Sequence, residues 1–373
     1  MKNDFILSKE HSFYVKGIAI FLMFAHHLFG FGEWILAKNN YMLLFSTHQF
    51  FSIICFYFGG ISIGLFSFIS GYSMYINSGK YKKYNGCIHK LIGFLLCYWI
   101  VELLFLFLGV ISKEPLPSLP MFIKQSFGVS VGHNGTINII FAWYVLFYII
   151  FILIHPIIIR LSKFSFVIDA LIYGVLFYSM YIIVKQPCWS ISADTVDFCW
   201  KTANYGYIGM IGYLCAKYNI FEKIEQCIEK ISCRSRWMKL GIAFFVIVGI
   251  LCIKIKLNNF SIFDIVSNDV LFIPFIIYAF IIIYNNLSLR FLKRIVMKCG
   301  ENSMNMWYLH AIFFTPNFTF QFIAYCFRYP ILILIWTVFI IYLCSIPISI
   351  LQSKILKKYN EVTANRGWSQ NEN

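Results

Sequence analysis

Lys16-Gly-Ile-Ala-Ile-Phe-Leu-Met-Phe-Ala-His26-His27-Leu-Phe29 reads as a membrane-spanning helix that carries two adjacent histidines. Ionisable groups are costly inside a bilayer and are kept there mainly for function. Histidine also changes charge near neutral pH, which suits proton transfer. One stretch therefore sets both the solvent of the fold and the first place to look for chemistry.

The rest of the 373 residues extends that reading. The chain is 60% hydrophobic, 20% aromatic and only 13% charged, with a mean hydropathy of +0.73, well outside the soluble range. Apolar runs long enough to cross a bilayer as helices recur at about 13–36, 53–76, 91–111, 139–159, 164–184, 202–216, 240–257, 267–285, 302–322 and 330–351. The expected fold is all-α, a polytopic transmembrane bundle of about ten helices with both termini cytoplasmic. Residues 1–358 are read as one membrane domain and 359–373 as a polar, disordered cytoplasmic tail. The first apolar stretch is read as a retained helix, since it has no small-residue cleavage site.

A net charge of +15 raises nucleic acid as a partner, but the distribution of charge explains it otherwise. With a cytoplasmic N-terminus, the 31 Lys and Arg all fall on the inner side except Lys38, Lys113, Lys124, Lys185, Lys201, Lys254, Lys256 and Arg328. That asymmetry sets topology. The expected surroundings are the lipid bilayer, as a multi-pass protein of the plasma (inner) membrane, with no nucleic acid. The 12 cysteines lack metal-ligand spacing and read as buried thiols, so no metal is expected. Residues 217–239, with Glu222, Glu225 and Glu229 among several cations, read as an amphipathic linker with a solvated charged face.

Helix phase separates the two histidines. Lys16 and His27 lie about three α-helical turns apart and share a face, whereas His26 points about 80° to the side. His27 is thus the better base and His26 its neighbour. Counting about 1.5 Å per residue from the nearest inner basic or polar boundary puts His27, Ser70, Glu102 and His310 in one mid-membrane layer. Polar groups at one depth tend to face each other or water rather than lipid. The plainer alternatives are cross-helix hydrogen bonding for Glu102 and His310 and helix packing for Ser70-Gly71. Asp169 and His155 lie nearer the helix ends and read as structural.

These residues carry a resemblance. Lys16-Gly-Ile-Ala-Ile followed by His26-His27-Leu resembles the first-helix motif of the acyltransferase-3 family of integral membrane acyltransferases. Phe68-Ile-Ser-Gly-Tyr72 is similar to its Phe-x-Ser-Gly-aromatic signature, and Ala142-Trp143-Tyr144 with Tyr148 resembles its Trp-aromatic element. Ser303-Met-Asn-Met-Trp-Tyr-Leu-His310 is similar to its late helix ending in His. All four occur in the family's order. Two features depart from it: Phe13 and Lys16 stand where many members have Asp and Arg, and Lys lacks the planar fork of Arg. The Lys16 and double-His form resembles the branch of bacterial surface-polysaccharide O-acetyltransferases.

The resemblance implies transfer of an acyl group, acetyl above all, from acyl-CoA (acetyl-CoA) to a hydroxyl of a cell-surface or lipid-linked glycan. In that chemistry His27 accepts the hydroxyl proton. Glu102 or His310 orients it, and Ser70 or Tyr72 donates to the developing oxyanion. Lys16, Lys82 and Lys83 meet the CoA phosphates as point charges. The competing class is a transporter or flippase for a lipid-linked sugar; no paired Gly/Pro-broken helices point to it.

Overall fold

Ser8 starts the first helix with a capping box: its hydroxyl accepts from the His11 backbone N–H at 3.1 Å, and its own N–H donates to the His11 ring at 3.3 Å. Two orphan donors are satisfied together, which fixes where the helix begins. Helices α1 (Lys9–Ala25), α2 (His48–Gly59), α3 (Ser62–Ile76), α4 (Tyr84–Ile111), α5 (Leu119–Ser126), α6 (Trp143–Leu161) and α7 (Phe166–Val184) make the first half of the chain. Helices α8 (Ala193–Lys217), α9 (Ile220–Lys230), α10 (Arg236–Leu257), α11 (Asp269–Asn286), α12 (Arg290–Glu301), α13 (Ser303–Leu309) and α14 (Pro330–Asn365) make the second. This computed structural model describes residues 7–31, 42–43, 47–81, 84–113, 115–129, 142–186, 191–230, 235–257, 267–314 and 321–365, and contains no strand among them.

Among the described residues, eight helical segments are long and apolar enough to cross a membrane, so the chain is a polytopic helical protein of the expected class. Two of the ten expected spans take another form. The stretch 202–216 lies within α8, where Thr202, Ala203, Asn204, Gly206 and most residues to Ala216 are buried. Small residues replace bulky apolar ones there because the helix is packed against others. The stretch 302–322 is not one helix: α13 stops at Leu309, a turn falls on His310, and a four-residue helix, Ala311–Phe314, follows. At the other end α14 continues to Asn365, into the stretch expected to be a disordered tail; 366–373 lie outside the described residues.

The chain divides into two compact units, Met1–Lys82 with Ile154–Glu301, and Lys83–Leu153 with Asn302–Asn373. The first unit is built on backbone-to-backbone approach at glycine. A Cβ at Gly71 would overlap the Gly209 carbonyl, and one at Gly212 would overlap the Phe68 carbonyl, so α3 and α8 touch through their main chains. Helices α1 and α12 do the same, Gly17 against the Val296 carbonyl and Gly300 against that of Phe13. Without a hydrophobic drive between helices in lipid, such close packing is a main source of association.

Buried charges in this unit are paired. Asp169 accepts from Lys217 at 2.8 Å, Ser162 at 2.8 Å and Tyr218 at 2.9 Å, a structural role as expected. Lys254 and Asp269 pair between α10 and α11, both under a tenth exposed. Glu225 departs from the solvated face expected of its linker. It is buried, pairs with Lys239 at 2.7 Å and accepts from the Tyr278 hydroxyl. Phe221, one turn earlier on α9, stacks among Phe68, Tyr72 and Tyr278 and draws that face of the helix inward.

The second unit holds its polar groups with neutral hydrogen bonds. Asn305 and Gln352 exchange amide bonds at 2.7 and 2.8 Å. Ser349 bridges Asn302 and Asn305, and Gln352 donates to the Cys97 carbonyl at 3.0 Å, tying α13, α14 and α4 together.

Candidate active site

The α-helical ladder of α1 stops at Ala25, and His26–Gly30 form a π-helical turn. Such i→i+5 turns widen a helix and are common at functional sites. The turn is clamped by α2 at three places. The His26 ring meets the Phe56 carbonyl through Nδ1 at 3.0 Å, and the Ser52 hydroxyl donates to the Gly30 carbonyl at 3.0 Å. Gly59 approaches so closely that a Cβ there would lie 2.6 Å from the Leu22 carbonyl and 2.5 Å from the His26 Cβ.

A carbonyl can only accept, so Nδ1 of His26 carries the hydrogen. Its Nε2 is thereby fixed as the lone-pair nitrogen of the neutral ring. The His27 ring lies 5.1 Å from that of His26, edge to face, and stacks at 5.9 Å on Phe31. Both histidines are half-buried. The phase count to His27 assumed 3.6 residues per turn throughout; from His26 onward, the widened turn and its clamp set the geometry instead.

Ser70 and Tyr72 are not beside this pair. Helix α3 runs antiparallel to α1: Gly59, just before it, meets Leu22 and His26, whereas the Tyr72 hydroxyl accepts from the Leu7 N–H at 3.2 Å. Leu7 precedes α1, and His27 lies twenty residues on, about 30 Å along the helix. Ser70 lies about 16 Å beyond Gly59 towards the same end. The single layer expected from depth counting fails here because the count began at Lys80, which belongs to a separate short helix, Ser78–Tyr81. Gly71 is a packing residue against α8, and Tyr72 pins the entry to α1. Lys16 sits next to the Gly17–Val296 contact. Lys82 and Lys83 lie outside the described residues.

Glu102 and His310 belong to the second unit. Glu102 is buried on α4, and among the described residues neither carboxyl oxygen makes a well-formed hydrogen bond. The Ser126 hydroxyl is directed instead to the Phe122 carbonyl at 3.0 Å. Tyr98, one turn before Glu102, packs at 5.2 Å on Tyr308. His310 is fully buried in the turn after α13, its Nδ1 bonded to the Trp307 carbonyl. Trp307 packs at 5.1 Å on Tyr144, so two of the four sequence motifs meet within this unit.

The acyltransferase-3 family model, described as an acyltransferase domain, matches residues 14–353. The chain belongs to the acyltransferase-3 family. Among curated proteins and solved structures, none matches. The match begins inside α1 and takes in every motif that carried the resemblance, so this member of the family is a membrane acyltransferase. Sequence reading missed Ser52, Phe56 and Gly59, which build the clamp. Gly59-Gly60 in an apolar run was the available signal, since such glycines mark close helix approach; the Phe56 contact is made by a backbone carbonyl and leaves no trace in residue identity.

Proposed function

We propose that this acyltransferase moves an acetyl group from acetyl-CoA to a hydroxyl of a surface or lipid-linked glycan, with His27 as general base. The observation that supports it most is the His26–His27 pair in a clamped π turn, at the position of the family's first-helix histidine. A sugar hydroxyl is a weak nucleophile, and a positioned neutral imidazole accepts its proton as the oxygen attacks the thioester carbonyl. The C–S bond then breaks, and the imidazolium returns the proton to the departing coenzyme A thiolate. His26, held by the Phe56 carbonyl, restrains the turn that presents His27. Lys16 lies about 16 Å from His27 along the helix and, with Lys82 and Lys83, meets the donor's phosphates. The donor enters from the cytoplasmic side of the inner membrane, its thioester reaching towards mid-membrane. Glu102 and His310 are further candidates for the reaction.

Transfer of radiolabelled acetyl from acetyl-CoA to isolated surface glycan tests the reading. His27→Ala should lower transfer by about 10²–10⁴-fold with expression and membrane insertion unchanged. Full activity in that variant overturns the assignment, and loss confined to His26→Ala moves the base to the neighbouring ring. Glu102→Gln and His310→Ala, assayed alongside, decide whether those two residues take part.

A further inference from the structure

Cations gather where α12 begins and at the first residue of α10, the end of a membrane-crossing segment. Arg236, the first residue of α10, donates through Nη2 to the Ser288 hydroxyl at 2.5 Å, which brings it to the segment that leads into Arg290. Lys293, one turn into α12, lies with Nζ 4.7 Å from the centre of the Tyr284 ring. Tyr284 is itself fixed, its hydroxyl donating to Glu10 at 2.7 Å and its ring packed at 5.1 Å on Tyr14. Among the described residues, no carboxylate forms an ion pair with Arg236, Arg290, Lys293 or Arg294.

This is not the ordinary state of surface cations. Two of them are tied to one short stretch of chain, Arg236 to the Ser288 hydroxyl and Lys293 to the Tyr284 ring four residues before it. Partial burial, with the charges of Arg236 and Arg290, pushes the Lys293 ammonium below the usual lysine range. Repulsion of that kind is relieved by an anion with several acceptor oxygens, and guanidinium forks match phosphate geometry. Trp237, Leu289 and Phe291 are exposed around the cluster, as suits a site at the level of lipid headgroups.

We propose that Arg236, Arg290 and Lys293 form a phosphate-binding site. Its occupant is a phosphate either of the nucleotide end of the acyl donor or of an anionic lipid headgroup. The donor alternative rests on the acyl-transfer reading above; the phosphate chemistry does not. Helix α12 is the one that α1 packs against at Gly17, so the site is anchored to the helix that carries Lys16.

The test uses the full-length protein in nanodiscs, with two probes. Coenzyme A is titrated into protein in phosphatidylcholine discs, and retention of phosphatidylglycerol is measured by native mass spectrometry. Arg236→Gln/Arg290→Gln/Lys293→Gln should weaken at least one by about tenfold or more, the scale of lost charge-assisted hydrogen bonds. Lys354→Gln/Lys357→Gln on α14 should leave that probe unchanged. Weakening of coenzyme A identifies the donor as occupant, and weakening of phosphatidylglycerol alone identifies a lipid headgroup. If neither probe responds, or the α14 control weakens both equally, the site does not exist. Arg290→Gln, at an exposed residue, supplies the same comparison should the triple variant lose its fold. His27→Ala should bind coenzyme A like the wild type, so failure of the catalytic reading and failure of the phosphate site give different results.

Discussion

The two units solve the same problem, polar groups in an apolar chain, by different means. In the first, acidic and basic side chains are buried in pairs: Asp169 with Lys217, Glu225 with Lys239, Lys254 with Asp269. Its helices approach until backbones touch at Gly17, Gly71, Gly212 and Gly300. In the second, amides and hydroxyls of Asn302, Asn305, Ser349 and Gln352 satisfy one another, and Gly93 has only a Leu356 methyl at 3.6 Å from where a Cβ would be. The contrast teaches that the α1–α12 and α3–α8 contacts of the first unit are specified by shape, with charge pairing beside them and little room to adjust. The second relies on a neutral network around α13 and, among the described residues, leaves the Glu102 carboxyl without a well-formed partner. A buried polar group left so calls for a reason, and a role in the reaction is one the assay above can test.

Substitutions that probe each half sharpen or break this contrast. Gly71→Ala should have the largest effect, about 3 kcal/mol, because a backbone carbonyl cannot yield as a side chain does. Gly93→Ala is its counterpart in the second unit and should stay within about 0.5 kcal/mol. Thermal midpoints of the purified variants in detergent decide it, and equal losses would erase the distinction in packing. Asp169→Asn comes next. It leaves the Lys217 ammonium among Ser162, Tyr218 and an uncharged amide, and should cost about 2 kcal/mol, less than for a wholly buried pair because Lys217 is partly exposed. Gln352→Leu should cost less than Asp169→Asn, about 1–2 kcal/mol from unmet bonds at Asn305 and the Cys97 carbonyl. A loss there exceeding that of Asp169→Asn would show that the neutral network, not charge pairing, is the stronger tie.

Much of the fold was legible from residue order. Long apolar runs located the eight candidate membrane segments, and the four motifs located the family. Depth counting succeeded less well, because it treats each helix as starting at its nearest charged residue. Lys80 shows the failure: it belongs to a separate short helix, so Ser70 falls near the start of α1 rather than beside His27. Glu225 shows another. Its surroundings in sequence are charged, but Phe221 carries that face of α9 into an aromatic stack, and burial follows from packing that charge patterning does not record.

Amino-acid order alone determined that this chain is helical, lives in a membrane and carries a histidine pair inside its first span, because hydropathy and residue type act locally. Only the tertiary structure decided how that pair is held. The π turn, the Phe56 carbonyl and the approach of Gly59 depend on two helices meeting at fixed register, and backbone carbonyls, identical at every position, give the sequence no means of announcing where they will be used.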